Sequence, residues 1–165
     1  GLAAGLLVEA AGLFTRSGHP DLGAEANLQL ARLQLASKNW SQAEHHLGTA
    51  SRLFDTIEDR AGFAWIRHLT GKLLQCQGRS AAARAAHAEA RTIFESIDLN
   101  RGTMASITAM ARILAAEGSH DRALELFDRV ADLGETPILD TDGALSAMLS
   151  RPGSSTPTAC PDAPR

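Results

Sequence analysis

The segment Leu53–Gly62, LFDTIEDRAG, recurs as IFESIDLNRG at Ile93–Gly102. Phe54, Ile57 and Gly62 have identical partners 40 positions later, at Phe94, Ile97 and Gly102. A fainter copy lies 40 positions earlier, where Leu13-Phe14 precede Ser17-Gly18-His19-Pro20. A repeat this regular describes an array of supersecondary units, each burying its apolar face against the next, rather than one irregular core.

Stepping through the chain by the same interval aligns the apolar positions. One column is Ala3, Ala43, Ala83, Ala123; the next is Leu7, Leu47, His87, Phe127. Ala10, Ala50, Ala90, Val130 follow, and then Leu13, Leu53, Ile93, Leu133. Within a unit these fall at i, i+4, i+7 and i+10, the apolar stripe of an α-helix. This helix, B, is expected near 2–16, 41–56, 80–96 and 120–134. A second helix, A, is expected near 21–37, 60–77 and 100–117, with small residues Ala31, Gly71 and Ala111 at the point of closest approach. Lys38, Gly78 and Gly118 mark the A-to-B turn, where a left-handed residue closes a helix. Ser41-Gln-Ala-Glu44 reads as a capping box, and Asp21 and Asn100 as N-caps of helices A.

Composition supports helices. Aromatic residues are 4% of the chain and Tyr is absent, so the core must be built from Ala and Leu, which suits closely packed helices. β-branched residues are too sparse for strands. The formal net charge of −3 removes the basic excess of a nucleic-acid binder. Of 16 basic residues only Lys38 and Lys72 are Lys, a bias that fits a GC-rich bacterial genome. Cys76 and Cys160 suggest neither a disulfide framework nor a zinc site. No apolar run approaches a membrane span, and the N-terminal segment lacks the basic start of a signal peptide. The chain opens on Gly inside a repeat, so a piece of a longer protein is expected.

The expected architecture is all-α: a right-handed superhelical solenoid of antiparallel helix pairs. Residues 1–18 form an orphan helix B, and 21–57, 60–97 and 100–135 form three repeats. Residues 141–150 form a short capping helix. The Pro/Ser/Thr-rich stretch 151–165 is a disordered tail.

Positions within the unit carry a resemblance. Gly71, Gly78, Ala83, His87 and Ala90 in one repeat, and Ala111, Gly118, Ala123, Phe127 and Val130 in the next, stand at the slots of the tetratricopeptide (TPR) pattern. The chain resembles a TPR array over about residues 2–150, although Asn27, Arg67 and Ile107 replace the large aromatic of helix A. The period exceeds the common 34 residues by six. That surplus is assigned to the junctions around Glu58–Phe63 and Leu99–Thr103. The longer variant is similar to arrays in bacterial transcriptional regulators and signal-transduction ATPases.

No catalytic motif is present, and no cofactor or metal site is expected: there is no phosphate loop, HExxH or nucleophile elbow. His45 and His46 point about 100° apart on a helix and read as solvent-facing. His87 reads as a partly buried, hydrogen-bonded core residue, and Cys76 as a small hydrophobe. The resemblance implies a groove lined by helices A, where peptides dock. Arg32, Lys72 and Arg112 occupy equivalent positions there and would form a basic ladder for carboxylates, sharing the surface with Trp65, His68 and Gln75. Three solvated cations aligned by accident are the alternative. The expected function is a non-catalytic protein- or peptide-binding scaffold in a cytoplasmic bacterial regulator. Its partner would be a protein segment, including acidic ones, with no direct contact to nucleic acid or membrane. A ligand-sensing module controlling an effector domain and a self-association module remain as alternatives.

Overall fold

A computed structural model describes residues 2–133, with side chains from residue 5 onward. Seven α-helices follow one another: α1 (Leu2–Arg16), α2 (Pro20–Ala36), α3 (Trp40–Thr56), α4 (Arg60–Cys76), α5 (Ser80–Ser96), α6 (Asn100–Ala116) and α7 (His120–Asp132). No strand occurs among the described residues. The capping helix assigned to 141–150 and the tail assigned to 151–165 lie outside them.

The backbone repeats every 20 residues, half the period of the side chains. Helices α2 to α6 each span 17 residues, and every connection is three residues long. The middle residue of each connection has positive φ: Gly18, Lys38, Glu58, Gly78, Asp98 and Gly118, between 52° and 81°. The residue after it returns its amide to the carbonyl five back, as Asn39 N–H does to Gln34 at 2.9 Å and Leu99 N–H to Phe94 at 2.9 Å. This is the Schellman closure, which satisfies carbonyls that a helix end would leave open. Three turns use Lys, Glu and Asp where glycine would carry no Cβ penalty; the bonded closure holds them there. The six residues by which the period exceeds 34 are therefore not held in longer junctions. The junctions at Ile57–Asp59 and Ile97–Leu99 are as short as the others.

These closures also set where each helix starts, and the expected caps are corrected accordingly. Asn39, His19 and Leu99 occupy the cap positions of α3, α2 and α6, and none caps with its side chain. Ser41 lies inside the first turn of α3 rather than opening a capping box. The Asn39 amide donates instead to Gln34 Oε1 at 2.9 Å. Asp21 and Asn100 sit within their helices. Asp59 does cap α4, accepting from Ala61 N–H at 2.9 Å and Gly62 N–H at 3.0 Å.

Consecutive helices pack against one another along the whole array. Such short turns require each helix to run back alongside its predecessor. In addition α2 touches α4 and α4 touches α6, whereas no odd-numbered helix reaches the next odd-numbered one. The even-numbered helices thus form one layer and the odd-numbered helices flank it. Alanines make the close approach possible: Ala24, Ala31, Ala43, Ala50, Ala64, Ala83, Ala90 and Ala111 are fully buried. The largest apolar cluster joins Leu28, Leu47, Phe54, Ile66, Leu69 and Leu73 across α2, α3 and α4.

One core column differs from expectation. Leu13 is 58% exposed, Leu133 is exposed, and Leu53 and Ile93 are only half-buried. The adjacent Phe54 and Phe94 take the core position, each ring lying over the backbone of the glycine eight residues on. A Cβ at Gly62 or Gly102 would fall inside the ring. The recurrent Phe and Gly of the duplicated segment are therefore one packing unit. Among the described residues, no helix is long and apolar enough to cross a membrane.

Candidate functional site

The even-numbered helices supply the residues that line two clefts. On α2 these include Glu25, Gln29 and Arg32; on α4, Trp65, His68, Lys72 and Gln75; on α6, Arg101, Thr108 and Arg112. Because α4 lies between α2 and α6, its residues border both clefts.

The larger cleft has a volume of about 290 Å³ and is lined by Glu25, Leu28, Gln29, Arg32, Trp65 and Arg101. The Arg32 guanidinium lies 4.9 Å from the centre of the Trp65 ring, a cation–π stack that fixes a long side chain. Burial lowers the Arg32 pKa, Glu25 opposes that shift, and Arg101 adds to it. The Glu25 carboxylate accepts a hydrogen bond from the Gln29 amide one turn along.

The smaller cleft, about 50 Å³, is lined by His68, Lys72, Gln75, Ala105, Thr108, Ala109 and Arg112. That is room for about three or four waters, the size of a carboxylate group rather than of a whole side chain. Lys72 and Arg112 thus share one cleft while Arg32 faces the other, so the expected ladder is split between two sites.

Between the clefts an edge-to-face series of rings runs inward. Trp65 meets Phe94 at 4.9 Å and His68 at 5.7 Å, and His68 meets His87 at 4.9 Å. His68 is buried rather than part of the open surface, although its edge lines the smaller cleft. Its Nδ1 lies 3.4 Å from the Ser106 hydroxyl. Its pKa falls well below the usual value through burial first, then through His87, Lys72 and Arg32. His87 is wholly buried, and neither ring nitrogen has a hydrogen-bond partner. Burial, with a contribution from Lys72, pushes its pKa down to about 4. The expectation of a hydrogen-bonded, partly buried His87 is therefore corrected. Its ring packs against Gly71, where a Cβ would lie 2.7 Å from it. A large ring at the α5 position required the smallest residue opposite, and that leaves the nitrogens facing carbon.

His46 also departs from expectation. It is buried, with its ring nitrogen Nδ1 3.0 Å from Asn27 Oδ1, while the Asn27 amide donates to the Gly23 carbonyl at 2.8 Å. His45 is exposed, as expected. Among the described residues, no group of three or more His, Cys, Asp or Glu side chains could hold a metal ion.

Comparison with protein-family models, curated proteins and solved structures finds no match. The site is thus described by its own geometry. Sequence reasoning located Arg32, Trp65, Lys72, Gln75 and Arg112 on cleft walls. It missed Arg101 and Glu25, which complete the larger cleft. A signal for Glu25 existed in its spacing of seven from Arg32. Arg101 lies in the first turn of α6, in a segment read as junction.

Proposed function

We propose that the chain is a non-catalytic scaffold that docks an acidic protein segment along α2, α4 and α6. On this reading it is a right-handed TPR-like array of the longer type, working in a cytoplasmic bacterial regulator. The observation that carries the proposal is the placement of Arg32 and Arg101 around one cleft with Trp65, and of Lys72 and Arg112 around a second, on the alternate helices α2, α4 and α6. Cations at helical spacing offer carboxylates a series of charge-assisted contacts, and the indole offers an apolar anchor between them. Binding is favoured over catalysis by the setting of the one Ser–His contact among the described residues. Ser106 and His68 are both buried, and the groups that shift His68 electrostatically are cations or a second histidine, with no carboxylate to orient the ring.

The test is a titration of fluorescently labelled oligo-glutamate into the full chain, followed by anisotropy. Binding should weaken as salt rises. It should be lost when Arg32, Lys72 and Arg112 are all changed to Glu, with helicity by circular dichroism unaltered. Unchanged binding by that triple variant would reject the docking surface. A second reading, self-association, is favoured by Leu6, Val8 and Leu13 standing exposed on α1. Light scattering across a concentration series separates the two.

A further inference from the structure

Arg32 and Arg101 converge on the larger cleft, and neither stands in an ion pair among the described residues. Arg101 stands near enough to disfavour the charge on half-buried Arg32, an arrangement that costs energy unless something offsets it. Glu25 does so in part, but its carboxylate is already engaged by Gln29. The lining therefore holds two positive charges and one negative, leaving one positive charge unbalanced.

We propose that Arg32 and Arg101 form a seat for a single carboxylate of the docked acidic segment, and that Glu25 makes the seat selective for a monoanion. The seat rests on the docking surface argued above and specifies its chemistry. Stacking on Trp65 fixes the Arg32 guanidinium before the anion arrives, so little of its flexibility is lost on binding. Arg101 is exposed at the start of α6 and closes the seat from the opposite helix. A phosphate dianion would bring a second negative charge beside Glu25, and that repulsion disfavours it relative to a carboxylate. The cleft's 290 Å³ accommodates a whole acidic side chain, unlike the smaller cleft beside Lys72.

Trp65 is a built-in reporter, because a carboxylate drawing on Arg32 alters the charge over the indole. Trp40, the other tryptophan, is changed to Phe so that emission comes from Trp65 alone. The Trp40→Phe chain is titrated at pH 8, where inorganic phosphate is largely the dianion, with oligo-glutamate, with the monoanion propionate and with phosphate. Both carboxylate probes should change Trp65 emission saturably, and phosphate should bind more weakly than propionate. Arg101→Gln should weaken the response roughly tenfold, the loss of one charge-assisted hydrogen bond, with circular dichroism unchanged. Glu25→Gln should narrow or reverse the preference over phosphate.

Oligo-glutamate that binds by anisotropy with a flat Trp65 signal, or with affinity unchanged by Arg101→Gln, would overturn the seat and leave the docking surface standing. Propionate binding without oligo-glutamate binding would keep the seat and overturn the docking surface. Binding of neither probe overturns both.

Discussion

His87 offers a quantitative test of how the layers are packed. Its ring is wholly buried, is pressed on Gly71 and has no partner for either nitrogen, and its pKa is pushed down to about 4. In the unfolded chain it titrates near 6.5. The folded state thus favours the neutral ring, and below about pH 6.5 the unfolded chain takes up a proton that the folded chain refuses. Stability falls as pH drops from about 6.5, and the loss is complete near pH 4. One group with this displacement removes about 1.4 kcal/mol per pH unit, or about 3 kcal/mol in total. Replacing His87 by Leu, the residue at the equivalent position 47, removes that term. It also removes the cost of an unpartnered buried N–H, about 1–3 kcal/mol at any pH. His87→Leu should therefore match or exceed the original chain in stability at pH 7.5 and exceed it by about 2 kcal/mol more at pH 5. Urea unfolding followed by circular dichroism at both values measures the difference, and carboxylates titrating in both chains cancel from it. A stability difference equal at pH 7.5 and pH 5 would show that His87 is not held neutral in the core.

Two further substitutions probe the packing. Gly102→Ala should destabilise by about 1–3 kcal/mol although alanine is the better helix former by up to about 1 kcal/mol, because its Cβ would enter the Phe94 ring. Gly62→Ala should do the same against Phe54, whereas Gly48→Ala, facing open space, should be neutral or stabilising; thermal melts of the three rank them. Asn27→Leu should cost about 1–3 kcal/mol by leaving His46 without its partner, and adding His46→Leu should recover part of that loss in a double-mutant cycle.

Helix positions were legible because each unit repeats the same stripe: the expected boundaries of α1 to α6 agree with the observed ones to within one residue. The left-handed turns at Lys38, Gly78 and Gly118 were legible too, but the caps were not, because the starts are set by Schellman closures, in which Glu58 and Asp98 adopt a conformation their residue types do not advertise. The core column beginning at Leu13 was misplaced by one position, since the Phe–Gly stack links side chains eight residues apart across a turn. Repeat columns cannot show such a contact, although the columns do place Phe54 above Phe94 and Gly62 above Gly102. At the clefts, Arg32, Lys72 and Arg112 were singled out by their equivalence between repeats. Arg101 was not, because it lies in the first turn of α6, in a segment read as junction. The burial of His46, His68 and His87 was legible only in part, because burial of a polar ring depends on what lies opposite: His87 was expected in the core but with a hydrogen bond, His46 in solvent and His68 on the groove surface.

The central claim is that recognition belongs to the even-numbered helices. Nuclear magnetic resonance of the arginine Nε–H and tryptophan indole N–H groups tests it directly, with oligo-glutamate added to saturation. Arg32, Arg101, Arg112 and Trp65 should shift, while Arg52 on α3, Arg91 on α5 and Arg122 on α7 stay in place. Shifts spread evenly over both sets, or confined to the odd-numbered helices, would contradict the account.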